Sequence, residues 1–144
     1  MAVAATAGSF VVDASVSAGW FLPDEATTFT EAALEATGSQ EVWVPALWLL
    51  ETANLLQSAQ RRQRIGTDKR RELAAAAAAL RLQVDREPVA LTAIDELAAR
   101  FGLSAYDAAY LELALRRSLP LATLDRALAA AMAAAGVPAA LSIA

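Results

Sequence analysis

The chain has neither cysteine nor histidine in 144 residues. The first absence excludes disulfides, thiolate metal sites and a cysteine nucleophile. The second excludes a Ser-His-Asp triad, a histidine general base and a zinc site built on imidazoles. Aromatic residues are few, at 6%, which leaves little for a broad base-stacking platform. Trp20, Trp43, Trp48, Tyr106 and Tyr110 are read instead as core or subunit contacts. Long apolar runs are also missing. No window reaches the roughly 18 uncharged residues of a membrane span, and the alanine run 74–79 is flanked by Arg70, Arg71, Glu72 and Arg81. Positive charge is in deficit, with a net charge of −4 and a pI near 4.8. A uniformly basic surface that coats nucleic acid is therefore excluded. Acids gathered around a metal are not, because a bound divalent cation inverts the local sign. Residues 1–8 are small and apolar without a basic start, so they are expected to form a frayed leader, not a secretory signal, ahead of a domain spanning 9–144. A cytoplasmic location is expected.

What is left for chemistry is carboxylates, hydroxyls, amides, Lys and Arg. Such oxygen-rich donors suit Mg²⁺ or Mn²⁺. With 57% hydrophobic residues and 19% charged, the chain can bury one good core. Short apolar runs alternate with helical patterns. Strands are expected at Phe10–Asp13, Glu41–Val44, Pro88–Thr92 and Leu119–Thr123, with an edge strand in Val137–Ile143. Helices are expected at Val16–Leu22, from Asp24 or Thr28 to Thr37, Ala46–Gln60, Thr67 to about Val84, Ile94–Phe101, Ala105–Arg117 and Asp125–Ala135. Strands joined through helices imply crossover connections. The expected fold class is α/β, a three-layer α/β/α domain with a short, mostly parallel central sheet.

In such a sheet, ligands bind beyond the carboxyl ends of the strands. Asp13 ends the first strand, Asp125 follows the fourth, and Asp107 stands in the first turn of a helix opened by Ser104. Each has an ordinary alternative as a helix cap. Glu51 differs, because its neighbours on the helix are mostly apolar while Asn54 shares its face; its ordinary alternative is a solvent-facing stripe with Asn54 and Ser58. An unpaired carboxylate in apolar surroundings is costly, which favours a functional role. Four carboxylates converging in one crevice would repel one another unless cations lay between them. Two Mg²⁺ ions about 4 Å apart would meet that need and cleave phosphodiesters.

Val12-Asp13-Ala14-Ser15, Pro45 through Trp48-x-x-Glu51-x-x-Asn54, Ser104-x-Tyr106-Asp107-Ala108-Ala109-Tyr110 and Ala122-Thr123-x-Asp125 follow one another in an order that resembles the PIN-domain ribonucleases, and VapC-type toxins of bacterial toxin–antitoxin pairs in particular. The resemblance implies a Mg²⁺-dependent endoribonuclease, with Mn²⁺ as a substitute. It implies an acidic pocket of Asp13, Glu51, Asp107 and Asp125, with Asp13 and Asp107 foremost as metal ligands. Ser15, Asn54 and Thr123 would orient those acids. It further implies a homodimer, an RNA substrate and a cognate antitoxin covering the active-site groove, for which Trp20, Phe21, Leu49 and Leu56 are the expected apolar lining. Arg61, Arg62, Arg64, Lys69, Arg70 and Arg71 hold six of the twelve cationic side chains. They are either a solvated surface or contacts for RNA phosphates. The alternative of another class is a catalytically inactive PIN-like module that only binds RNA or a partner.

Overall fold

Phe10–Val12 is an aromatic and β-branched run suited to a strand covered on both faces, and all three residues are completely buried. The structure, a computed structural model, describes residues 3–5 and 8–143. In chain order the elements are β1 (Val3–Ala5), β2 (Phe10–Val12), α1 (Ala14–Phe21), α2 (Thr28–Ala36), β3 (Val42–Pro45), α3 (Leu47–Arg61) and α4 (Thr67–Ala78). Then follow β4 (Leu82–Asp85), α5 (Leu91–Phe101), α6 (Ala105–Arg117), β5 (Leu121–Ala122), α7 (Arg126–Ala135) and β6 (Leu141–Ile143).

The central sheet runs β4-β3-β2-β5, and every neighbouring pair is parallel. Successive side chains on a strand point to opposite faces, and the core divides accordingly. Phe10, Val12, Val42 and Val44 pack with Val16, Phe21, Trp48 and Leu56 from α1 and α3. Val11 and Leu121 pack on the other side with Leu111, Leu113, Leu128 and Met132 from α6 and α7. Three α/β/α layers result, as the alternation of elements implies. Helices α5 and α7 stop at Gly102 (φ 66°) and Gly136 (φ 77°), where a left-handed backbone is free of the Cβ penalty.

The third sheet strand is not Pro88–Thr92. It is Leu82–Asp85, and α4 ends at Ala78 instead of continuing to Val84. The free edge of β3 decides this, pairing in register from Val42–Leu82 to Pro45–Asp85. Leu82 and Val84, alternating with polar residues, are drawn out of the helix by that ladder. Pro88 lacks an N–H for it. Of residues 1–8, where a frayed leader was expected, residues 1, 2, 6 and 7 lie outside the described residues. Val3–Ala5 forms a strand antiparallel to Leu141–Ile143, so the C-terminal strand pairs with β1 in a second, two-stranded sheet. Among the described residues no helix is long and apolar enough to cross a membrane.

Candidate active site

The strand order reverses between β2 and β5: from β2 the chain proceeds outward to β3 and β4, then returns to β5 on the opposite flank. Such a switch point opens a crevice at the carboxyl ends of the strands, because the two crossovers leave on opposite faces. Asp13 follows β2 and Thr123 follows β5, so both stand at the mouth of that crevice. Asp13 is only 3% exposed. Its backbone N–H donates to Ala122 O at 3.1 Å, continuing the sheet. Its carboxylate accepts from Ser15 Oγ at 2.6 Å, Thr123 Oγ1 at 2.7 Å and the Val16 N–H at 3.3 Å. Ser15 in turn accepts from the Leu124 N–H, which ties α1 to the loop after β5. Burial raises the Asp13 pKa from 3.8 to about 6; the hydrogen bonds from Ser15, Thr123 and Val16 oppose this and the charge of Asp107 adds to it.

Asp107 comes from the other helical layer. Ser104 Oγ accepts from the Asp107 N–H at 3.1 Å, so serine alone caps α6 and the Asp107 carboxylate is left free of hydrogen bonds among the described residues. Partial burial and the charge of Asp125 both raise its pKa. Asp125 caps α7 through the Leu128 N–H at 2.8 Å, and its own N–H donates to Thr123 Oγ1 at 3.0 Å. Glu51 accepts from the Tyr110 hydroxyl at 2.5 Å. Tyr110 is fully buried. Its phenol is pushed far above its ordinary pKa by burial first, then by Glu51, Asp13 and Asp107. Asp13 thus feels the charge of Asp107, and Asp107 that of Asp125, while the Tyr110 phenol feels Glu51, Asp13 and Asp107 together.

The four acids do not close into a four-carboxylate cage. Among the described residues no group of three or more acidic side chains could hold a metal ion. Three of the four also take part in hydrogen bonds within the chain: Asp13 and Asp125 at helix starts, Glu51 with Tyr110. As a donor set the residues still fit a hard divalent cation. All are oxygen ligands, and Mg²⁺ commonly takes one or two carboxylates with water and substrate phosphate in its remaining positions. Asp13 and Asp107 carry their charge with no cationic side chain among the causes of their shifts.

Other expected site residues are placed differently. Asn54 is exposed and makes no hydrogen bond to the acids. It lines a cleft of about 440 Å³ with Leu47, Leu50, Glu51 and Tyr106. Tyr106, read from the sequence as a core or subunit contact, is 62% exposed, whereas Tyr110 is buried and reaches Glu51. The hydroxyl of Tyr110 is the element missed in the sequence; its position three residues after Asp107, hence on the same face of α6, is the available signal. Of the expected groove residues, Phe21 and Leu56 are buried and Trp20 donates to Thr30 O. Leu49 alone among them is well exposed. Among the basic residues, Arg64 pairs with Asp24, Lys69 with Glu72, and Arg70 donates to Gln60. Arg61, Arg62 and Arg71 are exposed and make no ion pair among the described residues. Arg61 is ten residues beyond Glu51 on α3, about 15 Å along the axis at 1.5 Å per residue.

The PIN domain family model matches residues 10–133. Among solved structures, the crystal structure of PAE2754 from Pyrobaculum aerophilum aligns with a TM-score of 0.62 at 24% identity, covering 88% of this chain and 81% of that one. At that identity the likeness shows a shared fold. No curated protein matches the chain.

Proposed function

The chain belongs to the PIN-domain family, and from that premise we propose that it is a Mg²⁺-dependent endoribonuclease acting as the toxin of a VapC-type toxin–antitoxin pair. PIN domains are generally nucleases and typically use divalent metals. The observation that carries the finer reading is the Asp13 carboxylate. It is buried at the sheet switch point, held on one oxygen by Ser15 and on the other by Thr123, and raised in pKa by burial and by Asp107. Such a group is fixed in place and short of positive charge.

Asp13 and Asp107 would hold the cation, with Asp125 and Glu51 adding negative potential around it. When bound, the ion supplies a water of lowered pKa for attack on phosphorus, which suits a chain with no histidine base. Ser15 and Thr123 prevent the Asp13 carboxylate from rotating. Thr123 also accepts from the Asp125 N–H, so one hydroxyl aligns two acids. Tyr110 keeps the Glu51 carboxylate turned toward α6. Arg61, Arg62 and Arg71 would take phosphates of the RNA away from the cut, offsetting the repulsion that a net charge of −4 exerts on the strand.

A homodimer and a small antitoxin lying over the groove belong to the same proposal. Structured RNA incubated with purified protein should be cut in Mg²⁺ or Mn²⁺ and left whole in EDTA. Absence of metal-dependent cleavage on every RNA tried would leave a binding module as the better description. A neighbouring short reading frame whose product abolishes cleavage on co-expression would support the toxin role, and a toxin-like growth arrest unaffected by that product would refute the pairing.

A further inference from the structure

Helix α3 presents two stripes. Trp48, Thr52, Leu56 and Ala59 follow helical spacing and are buried. Leu47, Leu50, Glu51 and Asn54 stand at i, i+3, i+4 and i+7, the spacing of a single face, and that face lines the open cleft. Leu50 is 68% exposed and Tyr106, across the cleft on α6, is 62% exposed. Large apolar side chains left in water on both walls of one concave site mark a surface meant to be covered.

The cleft is continuous with the acidic centre. Glu51 belongs to both, and Tyr106 directly precedes Asp107. An RNA strand whose phosphate lies at the acids therefore brings an adjacent base to this opening. The volume of about 440 Å³ is ample for one base. The lining matches a base as well: an aromatic ring and leucines for its faces, and for its edge an amide that both donates and accepts. Among the described residues Asn54 makes no side-chain hydrogen bond that would compete for that amide.

We infer that this cleft receives one unpaired nucleobase next to the scissile phosphate, with Tyr106 and Leu50 as its apolar walls and Asn54 reading its edge. The inference rests on the nuclease reading and adds to it a requirement for single-stranded or unstacked RNA, with a base preference set at Asn54. Recognition of splayed bases on aromatic side chains is the common route to RNA specificity.

The test measures binding of short homopolymeric oligoribonucleotides to the full chain in EDTA, with cleavage of the same strands in Mg²⁺ run alongside. Tyr106→Ala should weaken binding about ten-fold, the scale of one base–aromatic stack, while Tyr106→Phe keeps wild-type affinity. Replacing the relevant nucleotide by an abasic one should weaken wild-type binding by the same factor and leave Tyr106→Ala unaffected. Asn54→Ala should flatten the differences among the four homopolymers. Electrostatic repulsion by the acids is common to all variants and cancels in these ratios. Base-dependent binding by a protein that cuts no RNA with any metal would uphold the pocket and sink the nuclease reading. Metal-dependent cleavage with affinity and base preference unchanged in Tyr106→Ala would do the reverse. A change in oligomeric state in Tyr106→Ala, with RNA affinity intact, would assign the cleft to a second copy and overturn the inference too.

Discussion

Two aspartates occupy equivalent places in the sheet and differ in almost everything else. Asp13 follows β2 and Asp85 ends β4; they are 3% and 5% exposed. Asp85 is met by two guanidiniums, Arg116 at 2.6 Å and Arg117 at 3.0 Å. Arg116 also pairs with Glu112 and Glu87, and Arg117 lies 3.8 Å over the Trp43 ring. The Arg116 hydrogen bond, first among several causes and against the pull of burial, lowers the Asp85 pKa. Among the described residues the Asp13 carboxylate accepts from two hydroxyls and one amide, with the charge of Asp107 nearby, and its pKa goes up. Burial pushes both upward and is the leading cause at Asp13, but at Asp85 it is outweighed. The counter-charge decides the sign: Asp85 is neutralised within the chain, while Asp13 meets no cationic side chain among the described residues.

The comparison is broken most directly by changing the acids themselves. Asp13→Asn and Asp107→Asn should each reduce RNA cleavage below detection with an unchanged far-UV circular dichroism spectrum. Full Mg²⁺-dependent activity in either would show that the uncompensated charge is not the functional one.

Next in size is a pH effect of opposite sign at the two sites. The folded pKa of Asp13 lies above the ordinary 3.8, so its contribution to stability is complete below about pH 4 and is lost as pH rises through about 6. The upward shift corresponds to up to about 3 kcal/mol at 1.36 kcal/mol per unit. In EDTA, Asp13→Asn should therefore be more stable than wild type at neutral pH and not at pH 4, and Mg²⁺ should raise the neutral Tm of wild type alone. Asp85 runs the other way. Its pKa is depressed, so its contribution is present above 3.8 and is lost as pH falls through the lowered value.

Asp85→Asn should cost about 2 kcal/mol in chemical denaturation, below the range for removing one member of a fully buried pair, because the two arginines are about 30% exposed and keep other partners. Cleavage per folded molecule should not change. If it falls, the two ends of the sheet are not independent.

Tyr110→Phe keeps the buried ring and removes only the hydroxyl on Glu51. A loss of about ten-fold in metal affinity or kcat is expected, the lower end for a group that orients a ligand. Measured metal titration separates this from a folding defect. The smallest effect belongs to the exposed cations: Arg61→Ala, Arg62→Ala and Arg71→Ala should each reduce the slope of log binding constant against log salt by about 1 without changing base preference.

Much of the architecture was legible in short stretches. The run Phe10–Val12, the helix spanning Ala105–Arg117 and the glycine stops after α5 and α7 are local features, and local pattern suffices where period, cap and stop agree. The misplaced strand shows where it does not. An alanine-rich helix and a strand compete for residues 79–85, and pairing with β3, forty residues earlier, decides between them. The same holds at the site. Asp13, Asp107 and Asp125 stand out by position after strands and at helix starts, and Glu51 by its apolar neighbours, but nothing local says that Tyr110 will take an oxygen of Glu51 or that Asn54 will turn to the cleft.

By itself, the sequence determined the chemistry available, namely oxygen ligands without thiol or imidazole, and the alternation of elements that makes a parallel sheet with acids at its carboxyl edge. Only the tertiary structure decided which acid is compensated and which is not. Electrostatic environment is a matter of distance in space, and the groups that set it here are remote along the chain. Thr123 holds Asp13 across 110 residues and Tyr110 holds Glu51 across 59, separations over which local pattern carries no information.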